Sequence, residues 1–226
     1  KNTSKCESVV ISPPEQVIIP LSQHIGAPCT PTVKKDDQVF VGTLIGDSDS
    51  YVSAPIHSSV SGTVEKIDTV LLPNGNYADA VFINSDGNMT PDPTLKPPKI
   101  KTKADLIKAT RDCGLVGLGG AGFPTHVKFK LKDETHIDTL IINGAECEPY
   151  LNCDYRLMIE NTEDIYRGVK YAAMALNIKR IIIGIEANKP QAIKAFENYP
   201  DIEVVVLKKQ YPMGSEKHLI YCTTGR

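Results

Sequence analysis

Tryptophan is missing from this chain of 226 residues, and so is any C-x-x-C pair among its six cysteines. Zinc fingers and bacterial iron–sulfur sites lean on that spacing. Cys6, Cys29, Cys113, Cys147, Cys153 and Cys222 are therefore expected to be free, mostly buried thiols in a reducing compartment, holding no metal. Positive charge is not in surplus either: 25 Lys and Arg stand against 27 Asp and Glu, a net charge of −2. The nine tyrosines are scattered with no basic patch around them, which excludes nucleic acid as a partner. No run of 18 apolar residues occurs, so no helix is expected to cross a bilayer. Residues 1–7 are polar and lack the apolar core of a signal peptide, so a cytosolic protein is expected, one able to dock onto a membrane partner.

What is present divides into two grammars. Residues 17–92 read as short strands with frequent Gly, Pro, Asn and Asp punctuation: 39–46, 51–55, 62–67 and 78–83. None of this half carries ten residues of helical periodicity, so a small all-β sandwich or barrel is expected. The phrases 35–46 and 52–64 resemble the barrel-sandwich hybrid of biotinyl and lipoyl carrier domains. The candidate hairpin tip at 72–77 has a turn-forming Asn74-Gly75 but no lysine, so the scaffold is expected without the carrier function. His57, beside Pro55 in a turn, reads as structural. Four prolines within 89–98 rule out helix or central strand and mark a linker over 89–100, dividing a β domain (1–95) from the rest (101–226).

Beyond the linker the pattern alternates. Helix is expected over 103–111, with Leu106, Ile107 and Ala109 on its apolar side, then over 154–176 and 190–198, and again from 216 to 222. Strands are expected over 136–142, 180–186 and 202–207, the first with both faces buried. Alternation of this kind gives a parallel α/β sheet that binds ligands at the carboxyl ends of its strands.

Three loops in that half carry chemistry. Gly117, Gly119, Gly120 and Gly122 leave a backbone almost bare of Cβ atoms, whose N–H groups can approach an anion closely, and Lys128 adds a point charge. The Gly-Lys-Ser/Thr ending of a nucleotide-hydrolysing loop is absent, and the loop follows a helix rather than a first strand, which separates it from both nucleotide fingerprints. Phe123 beside this cradle offers a stacking face. At the end of the expected strand, Asn143, Glu146 and Glu148 place an amide and two carboxylates where ribose hydroxyls or ring N–H groups would need acceptors. The same negative charge disfavours an extra phosphate and so favours NAD(H) over NADP(H). Finally, 211–217 opens a helix at Ser215, which resembles an N-cap.

Taken in order, 117–129, 143–150 with 154–158, and 211–217 resemble the flavin-binding loops of the NADH-binding subunit family of respiratory complex I. Together with the phrase 20–28 and the barrel-sandwich segment, they resemble more specifically the RnfC family of Rnf electron-transport complexes. That resemblance implies non-covalent FMN, hydride exchange with NAD(H), and single electrons passed to iron–sulfur carriers and indirectly to ferredoxin. It implies attachment through other subunits to the inner face of the cell membrane, and no side-chain acid or base, since the flavin does the chemistry. By position, Gly117, Gly119, Gly120, Ala121, Gly122 and Lys128 would hold FMN, with Phe123 stacking near NADH. Asn143 and Glu146 would contact the flavin, Glu148 the nicotinamide ribose, and Tyr211, Gly214 and Glu216 would close the pocket. Complex I carries Arg and Asp where this chain has Leu118 and Ala145, a difference that suits the Rnf branch. The family continues into cysteine-rich motifs, so a fragment is expected, with [4Fe-4S] clusters in the full-length protein only. Two other readings remain: a soluble relative of the proline-reductase-associated or cobalamin-reductase type, and a non-catalytic scaffold.

Overall fold

A computed structural model describes residues 3–118, 122–130 and 136–226. Contacts divide it into two compact units, Ile11–Asp133 and Lys1–Val10 with Glu134–Arg226. In the first, β1 (Gln16–Pro20), β7 (Tyr77–Ser85), β6 (Gly62–Leu71) and β3 (Gln38–Val39) lie side by side in that order. A second sheet runs β2 (Thr30–Pro31), β4 (Leu44–Asp47), β5 (Ile56–His57), and every pairing in both sheets is antiparallel. Ile19, Leu21, Val39, Ile45, Val60, Val64, Val81 and Ile83 interdigitate as the core. Fully burying such a side chain contributes about 1.5–3 kcal/mol. The β6–β7 hairpin turns at Leu72–Gly75, with Gly75 at φ +85° where the turn needs a left-handed residue.

Two expected strands are corrected here. The 39–46 stretch breaks into β3 and β4 because 40–43 forms a turn, Thr43 N–H bonding Phe40 O at 3.0 Å and Gly42 standing at φ +94°. Residues 51–55 form no strand: the Val52 carbonyl accepts from Ala27 N–H at 3.0 Å, and Ala54 N–H donates to His24 Nε2 at 3.1 Å. The proline-rich segment is irregular but tied down, with Val41 N–H on Thr90 O and Asp92 N–H on Val41 O, both 2.9 Å. After it, α1 (Lys103–Asp112) starts at a Thr102/Asp105 capping box and packs against α2 (Thr125–Phe129), a helix too short to show in hydrophobic periodicity.

The second unit is a three-stranded parallel sheet, β10 (Glu203–Leu207), β9 (Arg180–Glu186), β8 (Thr139–Gly144), with helices α3 (Cys153–Glu160), α4 (Thr162–Ala175), α5 (Pro190–Phe196) and α6 (Glu216–Thr224). The unbroken apolar run of β9 follows from its central place, and six of its seven residues are buried. The first strand starts at Thr139 rather than at 136. It is not buried on both faces either: four of its residues are half-buried and Asn143 is exposed. The expected single helix 154–176 is two, broken at Asn161, whose φ −130° and ψ 37° are non-helical. Residues 3–8 strap onto α3: Ser8 N–H donates to Glu160 Oε1 at 2.9 Å, and Thr3 Oγ1 to Asn152 Oδ1 at 3.1 Å. Antiparallel barrel-sandwich followed by parallel α/β sheet agrees with the expected fold class.

Candidate functional site

In the first unit, the glycine loop is closed at its base by Gly117 N–H on Phe123 O and Thr125 N–H on Leu115 O, both 2.9 Å. Of the expected anion-binding residues, Gly119, Gly120 and Ala121 lie outside the described residues. The two described glycines play different parts. Gly122 stands at φ +64°, and a Cβ there would sit 2.9 Å from Gln23 O and 3.1 Å from His24 Cα. Its bareness is therefore demanded by packing onto the 20–28 segment. Gly117 has ordinary φ, and among the described residues a Cβ there would meet nothing nearer than Phe123 O at 3.8 Å.

Phe123 is half-buried and Lys128 exposed, with the ammonium 5.9 Å from the ring centroid. Lys128 thus has a local contact that sequence spacing does not reveal, of the cation–π type that contributes about 0.5–1 kcal/mol at exposed sites. His126 is buried, its Nε2 3.3 Å from Tyr51 O, and burial pushes its pKa below the usual histidine range. His57 is also held down by burial, and its Nδ1 lies where a Cβ on Gly114 would meet it at 3.2 Å.

In the second unit, the carboxyl end of β8 meets the loop that follows β10. Asn143 Nδ2 donates to Gly214 O at 2.9 Å, while Asn143 Oδ1 accepts from Ala145 N–H at 3.2 Å. Gly214 is required by this meeting, since a Cβ would stand 2.8 Å from Ala145 O. Tyr211, in a cis peptide with Pro212, is exposed, as are Glu148 and Glu216. Of these residues, Asn143 and Gly214 are brought into direct contact. Ser215 occupies the N-cap of α6 without a side-chain capping bond, so its expected role is carried by the backbone alone, Leu219 N–H donating to Ser215 O at 2.8 Å.

Glu146 lies differently. Its side chain is 3 % exposed and forms an ion pair with Lys189, also 3 % exposed. It accepts Asp154 N–H at 3.0 Å as well, in the first turn of α3. Lys189 has no signal in the sequence, because it sits in a strand–helix loop whose partners come from 43 and 34 residues away. Glu146, Cys153 and Asp154 bring one potential ligand atom each within 4.8 Å of one another. Desolvation pushes the Cys153 thiol pKa up, with Asp154 and Glu146 adding to it, and the Lys189 ammonium already neutralises Glu146, which suits a cation poorly. The thiols are free but not mostly buried as expected: Cys29 is buried, Cys147 half-buried, and Cys6, Cys113, Cys153 and Cys222 are exposed. Their positions on loops and outward helix faces explain it.

Residues 110–226 match the family model described as the Nuo51 FMN-binding domain, and 1–88 match the RnfC barrel sandwich hybrid domain. The C component of the Na+-translocating ferredoxin:NAD+ oxidoreductase complex of Acetobacterium woodii is 44% identical over 94% of this chain and 50% of its own length. The C component of the ion-translocating oxidoreductase complex of Rhodobacter capsulatus is 41% identical over 99% of this chain and 45% of its own. A chain of the NAD+-reducing [NiFe]-hydrogenase, solved in the H2-reduced state, is 26% identical with a TM-score of 0.46, covering 58% of this chain and 26% of that one. The chain spans about half the length of the curated relatives it matches. It belongs to the RnfC family, and its second part is a Nuo51-type FMN-binding domain.

Proposed function

We propose that this chain is the FMN-binding part of an electron-transfer subunit that moves electrons between NAD(H) and iron–sulfur carriers, and through them ferredoxin. The observation that carries the reading is the match of 110–226 to an FMN-binding domain, joined to relatives named as parts of ferredoxin:NAD+ oxidoreductase complexes. The residues fit the cofactor: among the described residues a Cβ on Gly117 would meet nothing nearer than 3.8 Å, and an exposed cation lies over an aromatic ring. An amide and exposed carboxylates sit at the carboxyl end of a parallel strand, where such folds bind ligands. FMN, when bound, exchanges a hydride with NAD(H) and releases or takes up electrons singly.

The chain's residues bind and orient. Gly119, Gly120, Ala121 and Gly122 offer amides and Lys128 a positive charge to the phosphate, Gly117, its N–H held by Phe123 O, leaves room for it, and Phe123 offers a stacking face. Asn143 is the polar contact to the flavin, while Tyr211, Gly214 and Glu216 shape the surface around it. Glu148 accepts from the nicotinamide ribose and repels a 2′-phosphate. In this reading 1–95 is the barrel-sandwich domain and 101–226 carries the flavin and NADH residues, with 89–100 as the linker, although contacts group 101–133 with the first compact unit. The [4Fe-4S] clusters lie in the remaining polypeptide, and the whole is held at the inner face of the cell membrane by its partner subunits. Among the described residues no helix is long and apolar enough to cross a membrane.

The test is stopped-flow reduction of the FMN-loaded full-length protein by NADH and by NADPH. NADH is expected to be faster, and Glu148→Gln to narrow the gap. Equal rates in the unaltered protein would remove the assigned role of Glu148. Absence of flavin reduction by either nucleotide would remove the whole reading.

A further inference from the structure

We infer that Lys189 is a positioning residue for the acidic turn after β8. On this reading Glu146 is its internal counter-ion rather than a ligand contact, which leaves Glu148 to present the turn's negative charge. The inference rests on the FMN reading only for its functional readout. Its basis is geometric. Glu146 and Lys189 are a pair whose side chains are each 3 % exposed, so neither faces solvent or an incoming ligand. Lys189 joins three elements at one point. Its ammonium pairs with Glu146 of the turn and lies 4.7 Å from the Tyr155 ring centroid on α3. Its backbone is fixed by N–H donation to Glu186 O at 2.9 Å and by accepting Ile193 N–H at 3.1 Å.

Tyr155 is itself anchored, its hydroxyl donating to Gln191 Oε1 at 3.0 Å. Glu146 in turn accepts the Asp154 amide at 3.0 Å, where the α3 dipole favours a negative charge. A lysine at the N-terminal end of α5 faces the wrong end of that helix dipole, so α5 does not account for it. The turn does: a buried carboxylate without its cation would be expelled, because an isolated buried charge is far costlier than a paired one. Between Glu146 and Asn143 lie only Gly144 and Ala145, and the Ala145 carbonyl is in contact distance of any Cβ placed on Gly214. Holding Glu146 inward therefore fixes the place where Asn143 meets the 211–217 loop.

The experiment is a two-residue cycle in the full-length polypeptide: Lys189→Met, Glu146→Gln and the pair together. It is read by FMN affinity from fluorescence quenching and by hydrogen exchange of the amides at 145–156. Glu146→Gln keeps an acceptor for Asp154 N–H, and Lys189→Met keeps an apolar stem on Tyr155. If the pair positions the turn, Lys189→Met strands a charge: FMN affinity falls at least about tenfold and exchange at 145–156 rises. The neutral double variant brings both within about threefold of the unaltered protein. Should Lys189→Met fail to fold while the double variant folds and binds, the coupling is supported equally. A double variant as weak as Glu146→Gln, beside a Lys189→Met that binds normally, would make Glu146 a direct ligand and overturn the inference. If the unaltered protein bound no FMN, the cofactor reading would fail by itself. Exchange would then decide alone, with double-variant protection no better than Lys189→Met counting against the pair.

Discussion

Replacing Gly122 and Gly117 separately by alanine divides what the fold demands of the glycine loop from what a ligand demands. At Gly122 the backbone is left-handed, φ +64°, which costs an L-residue about 1–2 kcal/mol. Its Cβ would also press on Gln23 O at 2.9 Å and His24 Cα at 3.1 Å, both backbone atoms that cannot swing aside. Such overpacking costs about 1–3 kcal/mol more. The sum, about 2–5 kcal/mol, lowers the melting temperature of a unit this size by roughly 8–20 °C at about 4 °C per kcal/mol. Among the described residues Gly117→Ala meets nothing nearer than 3.8 Å, and it keeps its N–H on Phe123 O, so its stability change stays within about 0.5 kcal/mol. Its effect belongs to the ligand, and FMN affinity falls while the melt is unchanged. Calorimetry and flavin fluorescence on the same samples check both halves. A Gly122→Ala protein that melts with the unaltered one refutes the packing argument. A Gly117→Ala protein with full FMN affinity removes that residue from the phosphate site.

The strap of residues 3–8 is expected to be acid-sensitive. Bonds from Ser8, then Arg156, hold Glu160 down at about 2 from an ordinary 4.5. A depressed carboxylate stabilises above its unfolded value and loses that contribution as pH falls through the folded one. The strap therefore stays docked at pH 6 and loosens between 4.5 and about 2, a window that limited proteolysis near Ser8 or exchange at its amide reads directly. Asn143→Ala removes a donor to Gly214 O and an acceptor for Ala145 N–H, each worth about 0.5–1.5 kcal/mol. Faster exchange across 143–147 and 211–215, with β9 unaffected, is the expected outcome, and uniform loss of protection would contradict it. Gly184→Ala presses on Leu219 Cδ1 at 2.8 Å and Leu207 Cδ1 at 2.9 Å, both side-chain tips. A loss of about 1–3 kcal/mol in denaturant unfolding is expected there, with the fold kept.

How much of this was legible in the sequence follows from how local each feature is. The β9 strand is read at its true bounds because an unbroken Ile-rich run between polar ends has one use in an alternating chain. The β6–β7 hairpin follows from Asn74-Gly75. The break at Asn161 is missed because apolar periodicity runs through it, and only its backbone angles leave the helix. At the candidate site, glycine content points to the loop without saying which glycine serves packing. Gly122 answers to Gln23 and His24, almost a hundred residues earlier, a contact no local pattern carries. Glu146 has the same difficulty: its sequence position suggests an acceptor for a ligand, whereas its buried partner at Lys189 is created by the tertiary fold. The roles proposed for the three loops come from resemblance, since spacing alone does not supply them.

Comparing FMN with riboflavin on the full-length protein tests the central claim most directly, since the two differ only by the phosphate assigned to the glycine loop and Lys128. Charge-assisted hydrogen bonds contribute about 1.5–3 kcal/mol each. FMN is therefore expected to quench saturably at one per chain and to bind at least about tenfold more tightly than riboflavin, with Lys128→Ala shrinking that ratio. Equal affinity for both flavins, or quenching that never saturates, would contradict it.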